Sequence, residues 1–262
     1  MTAVELAVQD VAGVRIAQAV GVDRLELCTA LSLGGLTPSV ALVERAVASG
    51  VPVHVLVRPR AGGFDYDSNE RALIVADARA AMAAGAAGVV VGGTVAGTAP
   101  GDARHGVGGW AVDEALLRAV LDLAGEVTLH RAFDVLAVPE RALEQLAALG
   151  VRRVLTSGGG ARAVDSLPAL ARLQQLAGDG LEIMAGGGVS PENVVRVAAT
   201  GVAAVHASAK RRVAQGAGLA PAGALSLGSA DTGEYETTDE ALARGIVAAL
   251  RGQGGAGDRV QP

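Results

Sequence analysis

Three side chains that could move a proton or hold an anion follow one short strand-like run, residues 126–129. They are His130, Arg131 and Asp134, and Pro139 then opens a helical pattern. In a parallel barrel of strands and helices, the catalytic groups lie at the carboxyl ends of the strands, which is where this arrangement would put them. On this stretch alone, an equally good interpretation is that His130 and Asp134 only fix a loop.

Other strand-like segments carry ionisable residues at the same end. Residues two apart in a strand point the same way, so Glu26 and Cys28 share one face, and so do His54 and Arg58. If these faces point into a barrel, its mouth collects a set of polar groups. The set is Glu5, Glu26, Cys28, Arg58, Arg60, His130 and Asp134, with His206 as an additional candidate.

This polar set has two interpretations. In the first it is a functional pocket, in which Arg58 and Arg60, stiffened by Pro59, hold a carboxylate or a phosphate. In the second it is a closed network of buried ion pairs that joins Glu5 and Glu26 to the two arginines and only fixes packing. We favour the functional pocket.

A second anion site is predicted after the last strands. Gly187 belongs to a triple-glycine turn after the seventh strand, and Ser208 follows the eighth. Loops after these two strands commonly bind phosphate in barrels, through backbone N–H groups. Ser157, after the sixth strand, could extend the same wall.

The element that must position these residues is a repeated joint between a helix and a strand. A glycine ends a helical pattern and a β-branched run begins two to four residues later, as at Gly21, Gly85, Gly150 and Gly201. Eight strands are predicted in this way. They are 4–8, 24–28, 53–57, 88–91, 127–130, 153–156, 181–185 and 203–207. The pattern predicts an α/β fold, a single (β/α)8 TIM-type barrel over residues 1–250, with a doubly wound open sheet as the alternative.

Three segments depart from this plan. Residues 92–112 form a glycine-rich loop that carries His105, which we interpret as a solvated loop residue. Residues 211–236 are predicted to be irregular, and a last helix is expected at about 239–250. The tail at 251–262 is expected to be disordered.

The composition excludes several classes of protein. Half of the 262 residues are apolar and 19% are charged, which suits a large buried core. The net charge of −5 and the lack of a long basic run argue against a nucleic-acid partner. The uncharged stretch at 80–100 is broken by glycines, so no membrane span is expected. The single cysteine and the lack of a basic leader predict a cytosolic location.

Cys28 is the one thiol of the chain and follows Glu26 by two positions. A lone cysteine at a strand end is more often a small buried apolar residue than a metal ligand. A thiolate suits Cu(I) or Zn(II), but a tight site needs a second soft or imidazole ligand. The residues alone do not lead to a metal.

Several motifs resemble the copper homeostasis protein family CutC, in register from about Val4 to Ser208. These motifs are Glu26-Leu27-Cys28, Gly34-Gly35-Leu36-Thr37-Pro38-Ser39, Arg58-Pro59-Arg60, Gly62-Gly63-Phe64-Asp65-Tyr66, His130-Arg131-Ala132-Phe133-Asp134, Leu155-Thr156-Ser157-Gly158 and Met184-Ala185-Gly186. The resemblance implies a (β/α)8 barrel, a cytosolic location and a nominal role in copper handling. It also implies that Cys28 matches one of two cysteines proposed to bind copper, while the other falls on Ala7, so the paired-thiolate Cu(I) site is lost.

Three functions therefore stay open. The first is copper homeostasis with Cu(I) binding that depends on Cys28. The second is an enzyme acting on a small anionic, sugar- or phosphate-like substrate. Arg58 and Arg60 would hold the anion, His130 would be the general acid or base, and Glu26 or Asp134 its partner. The third is a scaffold without a site. A homo-oligomer is possible, because the alanine-rich helix face at 76–84 could pack closely against a second copy.

Overall fold

The computed structural model describes residues 1–97, 109–214 and 234–252. Eight parallel strands close into a barrel, and helices on its outside connect them. The barrel strands are β1 (Ala3–Val8), β2 (Arg24–Leu27), β3 (Val53–Leu56), β4 (Gly88–Val91), β7 (Val127–Leu129), β8 (Arg153–Thr156), β9 (Glu182–Gly186) and β10 (Ala204–Ala207). They neighbour one another in this order, and β10 pairs back with β1. The predicted (β/α)8 barrel is confirmed, and the open sheet is excluded.

Eight α-helices pack around the barrel in the described part of the chain. They are α1 (Val11–Val20), α2 (Val40–Val47), α3 (Ser68–Ala83), α4 (Glu114–Leu121), α5 (Pro139–Leu149), α6 (Leu167–Ala177), α7 (Val194–Ala198) and α8 (Glu240–Gly252). Helix ends follow the predicted glycine joints. Gly21 and Gly150 end α1 and α5 with φ of 71° and 88°, a conformation that glycine adopts without a side-chain clash. None of the helices described has the length and apolar character to cross a membrane.

Successive strand residues alternate between the core under the helices and the lumen of the barrel. Apolar side chains of the strands point outward and form the main core with the helices; they include Val4, Leu6, Leu25, Leu27, Val53, Val55, Val89 and Val91. Their neighbours in sequence turn into the lumen of the barrel. The buried polar members of this inner set are Glu5, Arg24, Glu26, His54, Thr128 and Arg153. The outer layer therefore supplies most of the apolar burial, and the polar groups are collected inside.

The amino-terminal end of the lumen is closed by ion pairs. Arg153 donates a hydrogen bond to the Thr128 hydroxyl at 3.1 Å and pairs with the Glu182 carboxylate at 2.7 Å. Glu126 lies 3.5 Å from the same guanidinium and 3.6 Å from the His54 ring. This cluster blocks the lumen at one end, so a bound molecule has to enter from the carboxyl ends of the strands.

Two segments predicted to lack regular structure contain strands. In the 92–112 loop, β5 (Thr94–Ala96) pairs antiparallel with β6 (Trp110–Val112). In the 211–236 segment, β11 (Lys210–Ala214) pairs antiparallel with β12 (Glu234–Thr238). Alternating patterns in such short strands are hard to detect, because each has five residues or fewer. The prediction for His105 and most of the predicted tail, 253–262, lie outside the described residues.

Candidate functional site

A pocket of about 260 Å³ opens at the carboxyl ends of the barrel strands. Five of the residues predicted for the site line this pocket: Glu26, Arg58, His130, Gly187 and Ser208. Its wall also contains Phe64, Arg131, Gly188, His206 and Lys210. The interpretation of the polar residues as a filled network without a cavity is therefore wrong.

Glu26 is a buried acid with an unused hydrogen-bonding atom. Its side chain comes from β2, and its Oε2 atom has no hydrogen-bond partner among the described residues. Burial raises the pKa of Glu26 to about 7, against the opposing charge of His206 and with the support of the negative charge on Glu5. A carboxyl group in this state can both give and accept a proton near neutral pH.

Glu5 is fully buried beside Glu26, and both of its oxygens are occupied. Arg24 Nε donates to Oε2 at 2.7 Å, and His206 Nδ1 lies 2.8 Å from Oε1. Burial acts to raise the pKa of Glu5, but the hydrogen bond and charge of His206 and the charge of Arg24 together hold it well below its usual value. Arg24 was missed in the sequence, although it precedes Glu26 by two positions on the same strand and so shares its face.

His130 lies at the end of β7, where its side chain caps the short 3₁₀ turn at Arg131–Val135. The ring Nδ1 accepts a hydrogen bond from the Ala132 N–H at 3.1 Å, so the neutral ring carries its proton on Nε2. Burial, and then the charge of Arg58, lower the pKa of His130 to about 3. The imidazole therefore stays neutral at ordinary pH, and its Nε2–H group has no partner among the described residues.

The contacts of the Arg58 guanidinium differ from those predicted from the sequence. Its guanidinium donates to the carbonyls of Leu33 at 3.1 Å, Gly35 at 3.1 Å and Gly62 at 2.9 Å, and lies 5.2 Å from the Phe64 ring centre. The predicted ion pairs with Glu5 and Glu26 are not formed. Backbone carbonyls take up most of its donors, and its Nε atom is left without a partner in the described structure.

Arg60 does not join the pocket. Its guanidinium is exposed and pairs with the Glu70 carboxylate, and it also donates to the carbonyls of Gly63 at 3.0 Å and Asp65 at 2.7 Å. The prediction of two guanidinium groups held together for one anion is therefore wrong, because the chain turns away after Pro59.

Asp134 and Ser157 contact each other outside the pocket wall. The Asp134 carboxylate accepts hydrogen bonds from the Thr156 hydroxyl, from the Ser157 N–H at 3.2 Å and from Arg131 Nε at 2.7 Å. The Ser157 hydroxyl donates to the Gly160 carbonyl at 2.6 Å. Both residues thus fasten the turn after β7 to the end of β8, as in the loop-fixing interpretation of this motif.

The opposite wall of the pocket is suited to an anion. In the described structure, the N–H groups of Gly187 and Gly188 donate no hydrogen bond to the protein. Their φ angles are 102° and 67°, and a side chain placed on Gly187 would come within 3.6 Å of Arg131 Nη1. Two successive N–H groups, a guanidinium and the adjacent Ser208 are the groups that bind phosphate or carboxylate oxygens in proteins.

Cys28 is buried in the lumen and is poorly placed as a copper ligand. Its thiol lies 3.6 Å from the Val8 carbonyl and packs against Leu56 and Val90. Burial, with the negative charge of Glu26, raises the pKa of the Cys28 thiol, whereas metal binding requires the thiolate. The side chain of Ala7, at the position of the family's second cysteine, has no ligand atom. The residues present do not fit a two-coordinate Cu(I) site.

One other group of possible metal ligands occurs in the described residues. Glu5, Glu26 and His206 each bring one donor atom within 4.8 Å of the others. The two oxygens of Glu5 are already engaged by Arg24 and His206, so the cluster is arranged as a hydrogen-bonded acid–base group.

The fold and pocket define a class of protein: a (β/α)8 barrel that carries buried acid–base groups in a small-molecule-sized pocket at the carboxyl ends of its strands. Comparison with known proteins is more specific. The model of the CutC family matches residues 2–211, so the chain belongs to the CutC family. This membership confirms the resemblance that the sequence motifs indicated.

Three relatives illustrate the match. A CutC family protein of Agrobacterium fabrum is 45% identical over 192 residues, 72% of each chain. One from Xanthomonas campestris is 39% identical over 253 residues, 94% of this chain and 98% of the relative. The crystal structure of the putative copper homeostasis protein CutC from Streptococcus agalactiae has a TM-score of 0.70 at 27% identity. That match covers 79% of this chain and 98% of the other.

Proposed function

We propose that the pocket binds a small anionic molecule, sugar- or phosphate-like, and carries out acid–base chemistry on it. The observation that supports this most is the Glu26 carboxyl. It is buried, it lines an open pocket, and its Oε2 has no hydrogen-bond partner in the described structure. Leaving a buried polar atom unpaired costs about 1–3 kcal/mol, and a ligand in the pocket would supply the partner that the protein does not give to Glu26 Oε2.

The roles divide between the two sides of the pocket. Gly187, Gly188, Arg131 and Ser208 would hold the anionic group of the ligand. On the other side, Glu26 would transfer the proton. His130 would act as a neutral donor through its Nε2–H to an oxygen that becomes negatively charged.

Binding of phosphate esters tests the anion site. We would titrate the protein with inorganic phosphate, glycerol 3-phosphate and ribose 5-phosphate by calorimetry, and repeat this with Arg131→Gln and Ser208→Ala. Loss of a charge-assisted hydrogen bond weakens binding by about tenfold or more, so Arg131→Gln should do so. Arg60→Gln is the matched control, because its guanidinium is exposed and outside the pocket. Equal binding by the wild type and Arg131→Gln, or no binding of any of these anions, would contradict the anion site.

A compound that binds can then be tested as a substrate. Glu26→Gln keeps the shape of the side chain but cannot accept a proton, so turnover should fall by about 10²–10⁴-fold while binding stays within a few fold. Unchanged turnover in this variant would remove Glu26 from the chemistry.

Copper handling is the second candidate, because the related structure from Streptococcus agalactiae is named a putative copper homeostasis protein. Cu(I) would be titrated against a competing chelator, with the reduced wild type and with Cys28→Ser. We expect no tight binding that depends on Cys28, since the thiol is buried and Ala7 provides no second ligand. Tight 1:1 binding that is lost in Cys28→Ser would restore copper as the function. We also propose a cytosolic location, because the single cysteine leaves the chain without an internal disulfide.

A further inference from the structure

A second acid–base residue lies beside Glu26. His206, from β10, lines the pocket, and a ring nitrogen of His206 lies within 4.8 Å of a carboxylate oxygen of Glu26. The two strands that carry them are separated only by β1, which contributes Glu5 between them. Two groups that can each take up a proton near neutral pH therefore face the same cavity.

The position of the proton on His206 follows from its partner. Glu5 is fully buried, and Arg24 donates to its Oε2 at 2.7 Å, so Glu5 stays ionised and can only accept hydrogen bonds. Its Oε1 lies 2.8 Å from His206 Nδ1, which must therefore carry a proton. The Nε2 atom of the neutral ring is then the basic atom.

On the basis of the proposed function, we propose that His206 and Glu26 form a catalytic pair that carries one proton on one or the other of its members, with no direct hydrogen bond between them. Glu5 and Arg24 are positioning residues that orient His206. With the proton on His206, the Glu26 carboxylate takes a proton from a C–H or O–H group of the ligand, and His206 gives its proton to a second atom of the same ligand. When the proton comes from the carbon next to a carbonyl group, the electron pair of the broken C–H bond forms a C=C bond, and the π pair of the carbonyl moves to the oxygen that receives the proton. Return of the proton from Glu26 to the former carbonyl carbon, with His206 taking the proton of the neighbouring hydroxyl group, completes the isomerisation and restores the pair. No net proton, electron or co-reactant is needed, which places the reaction among isomerisations of a small anionic hydroxy-carbonyl compound.

Other charged groups determine how the pair titrates. From the surrounding elements, the ionisable side chains that face the lumen and pocket around the pair are Glu5, Arg24, Cys28, His54, Arg58, His130, Arg131 and Lys210. Burial acts to lower the pKa of His206, but the charges of Glu26 and Glu5 and the Glu5 hydrogen bond raise it above its usual value. The pKa values of both members of the pair thus lie above those of the free amino acids, and the two should titrate as one unit.

NMR titration tests the pair without any ligand. The ring nitrogens of ¹⁵N-labelled histidine are followed from pH 5 to 9 in the wild type and in Glu26→Gln, and His206→Gln assigns the signal. If the pair shares a proton, the wild-type His206 signal shows two inflections, neutral His206 is unprotonated at Nε2, and Glu26→Gln leaves one inflection at a pH lower by about half a unit or more. His130 is the internal control, because it should stay neutral throughout in both proteins.

An unchanged His206 titration in Glu26→Gln, with the backbone spectrum intact, would overturn the pair. A neutral His206 protonated at Nε2 would also overturn it, because Glu5 would then not orient the ring. Glu5→Gln provides a second check: the Nδ1 preference and the raised midpoint of His206 should both be lost. The anion titrations described above do not depend on these results. Evidence against the His206–Glu26 pair would not exclude the anion site, and evidence against the anion site would not exclude the pair.

Discussion

At the scale of single residues, the environment of Glu26 differs from that of Glu5 although the two lie on neighbouring strands. Glu5 has a permanent cation and a histidine on its two oxygens, whereas Glu26 keeps one oxygen without a partner in the described structure. His206 and Arg24 therefore keep Glu5 ionised despite its burial, whereas burial shifts the pKa of Glu26 to about 7. Two carboxylates with separated pKa values are the usual basis for assigning acid–base roles.

Glu26 should also make stability depend on pH. Its pKa is raised on folding from an ordinary 4.5 to about 7, so the folded protein binds the proton more tightly than the unfolded chain. That stabilisation is complete below pH 4.5 and is lost as the pH rises to about 7. We therefore expect the free energy of unfolding of the wild type, relative to Glu26→Gln, to fall between pH 4.5 and 8 by an amount on the order of 3 kcal/mol. Urea unfolding of both proteins across this range measures it. A constant difference would show that folding leaves the pKa of Glu26 unchanged.

The sequence predicted the positions of inward-facing side chains on the strands better than the positions of side chains past the strand ends. Glu26 on β2 and Arg58, two residues past the end of β3, line the pocket as the alternation of strand side chains predicts. Arg60 and Asp134 lie past the strand ends, in a loop and in a 3₁₀ turn, where this rule no longer applies. The pairing of Arg24 with Glu5 depends on the register between β1 and β2, which a single strand does not reveal.

At the scale of elements, Arg58 holds two loops together at the barrel mouth. Its guanidinium donates to carbonyls in the 29–37 loop and in the 58–64 loop, and all three acceptors are backbone atoms. Because Arg58 bonds to the backbone of both loops, we expect that side-chain rotations alone do not move these loops over the pocket. The positions of both loops depend on Arg58.

Replacing this arginine should cost stability. Arg58→Met keeps the apolar stem but removes three hydrogen bonds to carbonyls, so we expect a loss of about 2–4 kcal/mol and a lower Tm. Arg60→Met is the control, since Arg60 is exposed and should leave the Tm unchanged. Thermal unfolding followed by circular dichroism measures both. Equal Tm values for Arg58→Met and the wild type would refute the role of Arg58 as a loop clamp.

At the scale of the whole molecule, the lumen has a closed end and an open end. Arg153 forms the closed end through Thr128, Glu182 and Glu126, far from the acid–base groups at the mouth. The outer core was predictable from the apolar strand patterns. The ion-pair cluster at the closed end was not, because its members lie on or beside four different strands, β3, β7, β8 and β9.

The ion-pair cluster around Arg153 should stabilise the fold and should not contribute to ligand binding. Arg153→Met removes the buried cation from the partly exposed Glu182 and Glu126 carboxylates, so we expect a loss of about 1.5–3 kcal/mol in the free energy of unfolding. Arg152→Met is the matched control: Arg152 also pairs with Glu182, at 2.6 Å, but is half exposed and should cost less than about 1 kcal/mol. Urea denaturation compares the two variants. Similar losses for both would mean that burial of the Arg153 pair is unimportant.

The separation of outward apolar and inward polar residues has an evolutionary consequence. Adjacent residues of a strand such as β2 face either the helices or the lumen. The inward residues near the mouth can therefore change from one descendant to another without disturbing the outer core that keeps the barrel folded. Ancestral barrels of this kind could acquire new ligands by substitutions at every second strand position. Deep mutational scanning for folding alone should then show a two-residue rhythm along the strands, with tolerance greatest at inward positions near the mouth.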